Sequence, residues 1–280
     1  MYLNLPKKDN SLVMIENLIY NKKNMFFLIA GPCVIEEEEK TYQIAEKIFE
    51  ITKKHEIPFI FKASYKKANR SRIDSFTGIG DEKGLNILKN ISKNLKIPVT
   101  TDVHSSEEVF LASKYVQMIQ IPAFLCRQTD ILINAGKTNN YVNIKKGQFC
   151  SAESVKYMVE KVASQGNKNI IITERGNSFG YEDLVVDIRN IPILKSLNKK
   201  VVLDVTHSLQ KPNQKIGVSG GTPEFIETIA CAGIAAQVNG IFLETHPNPK
   251  KAMSDGTTML ELNKLEKLII KLKAIRNVVI

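Results

Sequence analysis

The sequence contains no tryptophan, only four cysteines, and no apolar run approaching the roughly 20 residues that a membrane-spanning helix needs. We therefore expect no membrane partner. The cysteines do not form CxxC pairs and nothing at the N-terminus resembles a cleavable secretion signal, so a cytoplasmic protein is expected. Three of them, Cys126, Cys150 and Cys231, lie in or near apolar segments, as core thiols usually do.

Long basic clusters are also missing, although the chain as a whole is basic. Its 39 lysines and arginines against 29 acidic residues give a net charge of +10, which indicates an anionic partner. The basic residues are spread along the chain in groups of two or three, such as Lys22-Lys23 and Lys199-Lys200, without a nucleic-acid-binding motif. We predict no nucleic-acid partner. With 43% hydrophobic and 24% charged positions, the composition excludes disordered, collagen-like and rod-like chains.

Short runs rich in valine, isoleucine and phenylalanine alternate with charged segments of helical period, which is typical of repeated βα units and a parallel sheet. The predicted strands are 26–30, 58–63, 98–102, 118–121, 142–145, 170–174, 201–205 and 240–244. Amphipathic stretches lie between them, such as 41–55 and 151–165, and 260–275 is predicted as the last helix.

Eight βα units without a flexible linker favour an α/β fold in which residues 1–280 form a single (β/α)8 TIM barrel domain. Residues 1–24 are an N-terminal extension before the first strand and are predicted to cap the barrel floor. An open doubly wound sheet is the alternative. Its dinucleotide-binding form needs GxGxxG directly after a strand, and Gly78, Gly80 and Gly84 lack that spacing.

Polar residues follow almost every predicted strand, where a buried parallel strand should be apolar. They are Cys33, Lys62, Asp102 with His104, Gln120, Lys145, Glu174 with Arg175, Asp204 with His207, and Glu244 with His246. Each one alone could cap a helix or fill a polar layer inside the barrel. Together they indicate an active site, because the carboxyl ends of barrel strands converge on one mouth.

These residues suggest two kinds of chemistry. Lys62, Lys67, Arg70, Lys145 and Arg175 are cations that suit a substrate with two phosphate or carboxylate groups. The second set is Cys33, His207, Glu244 and Asp255, a mixture of sulfur, nitrogen and oxygen ligands of the kind that binds Zn²⁺, Fe²⁺ or Mn²⁺. A buried, purely structural Cys33 is the alternative.

Several blocks of sequence resemble one enzyme family, the 3-deoxy-D-manno-octulosonate 8-phosphate synthases, also called 2-dehydro-3-deoxyphosphooctonate aldolases. The blocks are residues 62–71, 101–104, 120–130, 143–149, 175–181 and 204–208, in that order along the chain. The Lys-Ala-Asn-Arg-Ser sequence of residues 67–71 distinguishes this family from its aromatic-pathway relative, which has a Lys-Pro-Arg-Thr type block there.

The resemblance implies a transferase that condenses phosphoenolpyruvate with D-arabinose 5-phosphate and water on a TIM barrel. The products would be 3-deoxy-D-manno-octulosonate 8-phosphate and inorganic phosphate, for lipopolysaccharide (KDO) biosynthesis. Two other functions stay open. One is the aromatic-pathway synthase, which uses erythrose 4-phosphate, and the other is a barrel that serves as a nucleic-acid or regulatory binding protein.

The resemblance also implies residue roles. Lys62, Lys145 and Arg175, with Ser64, Lys67 and Gln120 close by, would hold phosphoenolpyruvate, and Asn69, Arg70 and Ser71 would bind the phosphate of the sugar. Arg127 would reach that phosphate in a neighbouring subunit, which implies a homo-oligomer, usually a tetramer. The cysteine after the first strand matches the metal-dependent branch, with Cys33, His207, Glu244 and Asp255 as ligands. The catalytic set would be Lys62, His104, Lys145 and His207, with His104 near the departing phosphate.

Overall fold

The computed structural model describes residues 10–19, 25–68, 72–212 and 220–279, with side chains described from residue 15 onward. Eight parallel strands follow one another around a ring, which closes because the first strand pairs with the second and also with the eighth. In the closing pair, Phe27 lies opposite Gly240. The chain is therefore a single-domain (β/α)8 TIM barrel, as the alternation of strands and helices predicted.

The barrel strands are β1 (Phe27–Gly31), β2 (Phe59–Lys62), β3 (Val99–Asp102), β4 (Met118–Ile121), β5 (Tyr141–Lys145), β6 (Ile170–Glu174), β7 (Lys200–Asp204) and β8 (Gly240–His246). The helices are α1 (Asn10–Ile19), α2 (Glu38–Lys54), α3 (Asp81–Leu95), α4 (Ser106–Ala112), α5 (Thr129–Lys137), α6 (Val155–Ala163), α7 (Asn190–Lys195), α8 (Ile226–Ala235) and α9 (Leu265–Val279). Short strands add a hairpin after β6 (Asn177–Phe179 with Asp183–Val185), a second pair after β7 (Gln210–Lys211 with Gly220–Gly221), and Leu260–Glu261 beside β8.

Every predicted strand limit but one lies within one residue of the observed limit, and β8 ends at His246 rather than at residue 244. The three predicted helices differ by more, and α2 begins at Glu38 rather than at residue 41. The predicted 260–275 helix begins at Leu265, because Leu260–Glu261 pairs with β8 and 262–264 forms a 3-10 turn. The predicted 151–165 helix begins at Val155, because Ser151 accepts hydrogen bonds from Ser154 in a preceding turn. Such local bonds by serine side chains compete with helix formation.

The barrel interior has an apolar lower part to which α1 contributes. Ile15 and Ile19 of this helix are buried in a cluster with residues from seven of the strands, and the cluster is separate from the layer between strands and outer helices. Its other members are Phe27, Ile29, Ile60, Met118, Tyr141, Ile171, Val202 and Phe242. Helix α1 therefore covers the floor of the barrel. The domain limits at 1–24 stay a prediction, since residues 1–9 and 20–24 lie outside the described residues.

We expect Ile15→Ala to destabilise the protein by about 2–4 kcal/mol, since it removes a fully buried side chain and leaves a cavity at the barrel floor. Urea unfolding followed by circular dichroism measures the change. Asn17→Ala, at an exposed position of the same helix, is the matched control and should change stability by less than about 0.5 kcal/mol. Equal midpoints for the two variants would show that α1 does not stabilise the floor.

Candidate active site

A cavity of about 280 Å³ lies at the carboxyl ends of the barrel strands. Among the residues that line it are Lys62, Lys67, Asp102, His104, Gln120, Lys145, Arg175, His207, Glu244 and Asp255. Each of these was singled out from the sequence as a strand-end, cationic or metal-ligand residue. The structure therefore brings them to one place, although their individual roles stay predictions.

An ion pair between Lys62 on β2 and Glu244 on β8 links the two strands that flank β1. Lys62 Nζ lies 2.6 Å from Glu244 Oε1 and donates a second hydrogen bond to the carbonyl oxygen of Cys33 at 2.9 Å. Both side chains are almost fully buried. Burial opposes ionisation of Glu244, but the nearby Lys62 and His207 outweigh it and hold its pKa well below the usual range. The pair therefore places a carboxylate at the cavity wall.

Cys33 reaches this pair because β1 ends in a glycine. A Cβ atom at Gly31 would lie only 2.0 Å from the carbonyl oxygen of Lys62, so only glycine allows the strands to approach so closely. Beyond it, Cys33 Sγ lies 3.1 Å from Asp255 Oδ2 and 2.9 Å from Ser254 Oγ. The Gly-Pro-Cys sequence thus brings the thiol to the loop that carries Asp255.

Cys33, Glu244 and Asp255 form a group that fits a metal ion. Their ligand atoms all lie within 4.8 Å of one another. Glu244 Oε2 is buried and accepts no hydrogen bond from the described part of the chain. Burial, with the two carboxylates nearby, raises the pKa of the Cys33 thiol far above its usual value. A divalent cation would relieve both conditions, because it binds carboxylate oxygen and favours the thiolate.

His207, the fourth predicted ligand, lies beside this group rather than within it. Its Nε2 is 3.6 Å from Glu244 Oε2, while Nδ1 is 2.8 Å from Asp204 Oδ2. A carboxylate on one ring nitrogen is the arrangement that orients a metal-ligating histidine and fixes its tautomer. Asp204 was noticed only as a strand-end residue. Its three-residue spacing from His207 was the available signal for this role.

Asp204 also binds the second cationic residue of the cavity. Lys145 Nζ lies 2.6 Å from Asp204 Oδ2 and 3.7 Å from the centroid of the Phe242 ring. Burial lowers the pKa of Lys145, and the neighbouring Asp204 opposes that shift. Asp204 Oδ1 accepts hydrogen bonds from the backbone N–H groups of Thr206 and His207. Lys145, the ring of His207 and two backbone N–H groups therefore fix the Asp204 carboxylate in place.

Arg175 and Gln120 also line the cavity. Arg175 is buried, and its Nη2 donates hydrogen bonds to the His207 carbonyl at 3.0 Å and to Gln210 Oε1 at 2.7 Å. Its Nη1 is buried without a hydrogen-bond partner among the described residues. Gln120 Oε1 accepts a hydrogen bond from Asn143 Nδ2. The free guanidinium nitrogen is suited to an anionic group of a bound molecule.

His104 also lines the cavity, and it lies between two carboxylates. Its Nε2 is 3.2 Å from Asp102 Oδ2, and its Nδ1 is 2.9 Å from Glu108 Oε2. Burial alone would lower its pKa, but the hydrogen bonds to Asp102 and Glu108 outweigh burial and raise the pKa to about 9. Glu108 was missed from the sequence, where it reads as one of two acidic residues in the first turn of a helix.

Two other predicted site residues, Ser64 and Arg127, are not among the residues that line the cavity. Ser64 is buried directly after β2, where its backbone bonds to Cys33 and Ile35. Arg127 is exposed and does not line the cavity of its own chain. Asn69, Arg70 and Ser71, predicted to bind the sugar phosphate, lie outside the described residues.

Across the part of the chain that is described, the helices are too short or too polar to traverse a bilayer.

Known proteins match this chain over nearly its whole length. A family model described as the DAHP synthetase I family matches residues 9–279. A protein of Trichlorobacter lovleyi named 2-dehydro-3-deoxyphosphooctonate aldolase is 48% identical over 255 residues, which cover 91% of this chain and 94% of the relative. Proteins with the same name are 50% identical over 249 residues in Desulfatibacillum aliphaticivorans (89% and 91% covered) and 46% identical over 267 residues in Pelobacter propionicus (95% and 98% covered).

Proposed function

This chain belongs to the DAHP synthetase I family, and we propose that it condenses phosphoenolpyruvate with D-arabinose 5-phosphate and water. The products are 3-deoxy-D-manno-octulosonate 8-phosphate and inorganic phosphate, and the reaction serves KDO and lipopolysaccharide biosynthesis. One observation carries the proposal: the relatives that match about nine-tenths of the chain at 46–50% identity share the name 2-dehydro-3-deoxyphosphooctonate aldolase. The protein is thus a carbon–carbon bond-forming transferase.

The charges of the cavity suit phosphoenolpyruvate, which carries a phosphate and a carboxylate. Lys62 and Lys145 end strands β2 and β5, Arg175 directly follows β6, and all three are buried at the cavity wall. Lys67 and Gln120 line the same cavity, and Ser64 follows Lys62 on the loop after β2. Cations fixed in this way neutralise the substrate without reorganising during the reaction, which is the main electrostatic contribution to catalysis in such sites.

In the proposed reaction, C3 of the enol attacks the aldehyde carbon of the sugar while water adds to C2, and the C2–O bond to phosphate then breaks. The protein's contribution is to hold the two anionic ends so that C3 faces the aldehyde. We assign sugar phosphate binding to Asn69, Arg70 and Ser71, and to Arg127 from a neighbouring subunit of a homo-oligomer, a tetramer in this proposal. Exposure of Arg127 outside its own cavity supports that arrangement.

The donor set supports a divalent metal ion as cofactor. Cys33, Glu244 and Asp255 would hold it together with His207, and Zn²⁺, Fe²⁺ and Mn²⁺ all accept such mixed ligands. When bound, the ion would supply Lewis acidity at the sugar aldehyde or at the water. His104, which also lines the cavity, is assigned to the charge of the departing phosphate. We place the protein in the cytoplasm, without a nucleic-acid or membrane partner.

The description of the family favours a second candidate, because it names DAHP synthetase. That activity would use erythrose 4-phosphate as the aldehyde. The sequence of residues 67–71 argues against it, since it matches the octulosonate block and not the Lys-Pro-Arg-Thr type. The two candidates share phosphoenolpyruvate and differ only in the sugar.

We expect phosphate release from phosphoenolpyruvate to be faster with arabinose 5-phosphate than with erythrose 4-phosphate by a factor on the order of 10² or more in kcat/KM. The reason is that a site built to bond an additional sugar hydroxyl loses those bonds with the shorter sugar. The assay is phosphate release by the purified protein with each sugar. Preference for erythrose 4-phosphate would establish the second candidate, and no release with either sugar would reject both.

A further inference from the structure

Glu108 makes contacts that distinguish it from Glu107, the other acidic residue of α4. Its Oε2 accepts a hydrogen bond from the backbone N–H of His104 at 2.8 Å and lies 2.9 Å from His104 Nδ1. Its Oε1 accepts a hydrogen bond from Lys66 Nζ at 3.0 Å. Only 13% of the side chain is exposed. The adjacent Glu107, in contrast, is exposed and accepts a hydrogen bond from the Ser105 hydroxyl.

The start of α4 fixes Glu108 in this position. Ser105 is the N-cap residue, and its hydroxyl accepts the backbone N–H of Glu108 at 3.3 Å. Glu108 is thus the third residue of the helix, from which an acidic side chain can reach back to the residues before the cap. It bonds His104 there, one residue before the cap. The local fold therefore directs this carboxylate at the histidine.

The ring of His104 can satisfy both neighbours in only one protonation state. A neutral imidazole has a single N–H group and would present a lone pair to either Asp102 or Glu108. The imidazolium has two N–H groups, which match the distances of 3.2 Å and 2.9 Å on its two sides. The geometry alone therefore favours the cation.

We propose that Glu108 is a positioning residue that, together with Asp102, holds His104 as an imidazolium at the wall of the catalytic cavity. The cation faces the bound phosphoenolpyruvate and stabilises negative charge as phosphate leaves. This inference rests on the proposed function for its catalytic part only. The protonation of His104 follows from contacts within the chain.

The surrounding charges are consistent with this arrangement. The charged groups nearest His104 are Asp102 from β3 and Glu108 from α4. Lys66 lies behind Glu108, and both Lys62 and Lys67 act on Asp102 from β2 and the loop after it. Burial disfavours ionisation of Glu108, yet His104 and Lys66 lower its pKa to about 2, so the carboxylate stays charged at neutral pH.

The test is Glu108→Gln, which keeps the shape of the side chain and removes its charge. Titration of the histidine rings, followed by NMR of protein labelled with ¹³C-histidine, reports the protonation of His104 without any substrate. The chain has four histidines, and the variant His104→Asn identifies the relevant signal. We expect the pKa of His104 to fall by at least about one unit in Glu108→Gln, as for removal of a contacting carboxylate.

Activity should change with pH in the same direction. The pKa of His104 is about 9 in the wild type, and a fall of about one unit in Glu108→Gln would make the ring lose its proton at a correspondingly lower pH. We expect kcat of the variant to fall at least about threefold more than that of the wild type between pH 6.5 and pH 8.5, with a smaller change in KM for phosphoenolpyruvate. Glu108→Asp should restore part of this difference.

Two further variants test whether the effect on His104 comes from Glu108 itself, from a neighbouring carboxylate or from Lys66. Glu107→Gln removes the adjacent exposed carboxylate and should leave both the titration and the pH profile unchanged. Lys66→Met removes the other partner of Glu108, so the same loss in that variant would show that Glu108 acts through Lys66 and would overturn the proposal. An unchanged His104 titration in Glu108→Gln would overturn it too. If the wild type releases no phosphate with either sugar, the proposed function fails, and the titration still decides the protonation of His104.

Discussion

Cys33→Ala is expected to abolish condensation while the barrel stays folded. The thiol is the only sulfur in a group whose ligand atoms lie within 4.8 Å of one another, and its loss leaves two carboxylates and the adjacent His207. We expect the bound metal per chain to fall at least tenfold, because these mixed sites depend on thiolate for both affinity and selectivity. Elemental analysis after dialysis measures the metal, and phosphate release measures activity.

The same variant should cost little stability. Removing the sulfur of a fully buried side chain creates a small cavity, with a cost on the order of 1–2 kcal/mol. Cys231→Ala is the matched control, since this thiol is half-buried on α8, and it should keep both metal and activity. EDTA treatment of the wild type should reproduce the loss, and added Zn²⁺, Fe²⁺ or Mn²⁺ should reverse it. Full activity of Cys33→Ala in chelator would show that the thiol is structural.

The barrel could be predicted because its signal is local and repeated. A parallel strand buried on both faces is an almost continuous apolar run, and polar residues follow almost every such run in this chain. Asp204 and Glu244 illustrate this, since each ends its apolar run within a barrel strand. The closure of the ring then places all these ends together. For this reason the cavity could be outlined from strand ends alone.

Contacts between side chains were harder to predict, because they depend on the angle between elements. His207 was assigned to the metal group, but its Nδ1 is bonded to Asp204, and only Nε2 faces Glu244. Glu108 was missed since it stands beside the exposed Glu107 in the first turn of a helix, and only the N-cap at Ser105 turns it towards His104. Positions at strand ends therefore predicted which residues line the cavity, and the structure was needed for how they pair.

The loss of Lys145 is expected to have an effect on catalysis as large as that of Cys33. Lys145→Met removes a buried cation that faces the cavity and contacts Asp204 at 2.6 Å. We expect kcat/KM for phosphoenolpyruvate to fall by about 10²–10³-fold, since removal of one preorganised group that stabilises developing charge costs on that order. Phosphate release at varied phosphoenolpyruvate concentration measures this change.

A second variant distinguishes catalysis from stability at this position. Lys145→Met leaves the fully buried Asp204 with His207 and two backbone N–H groups, and loss of one partner of a buried pair typically costs about 3–5 kcal/mol. Lys145→Met with Asp204→Asn removes the uncompensated charge, so we expect it to regain much of the stability in urea unfolding. It should regain no activity, because the cation that binds the substrate is still absent. Recovery of activity in the double variant would mean that Lys145 serves only to neutralise Asp204, and the phosphoenolpyruvate site would then have to be built from Lys62 and Arg175 alone.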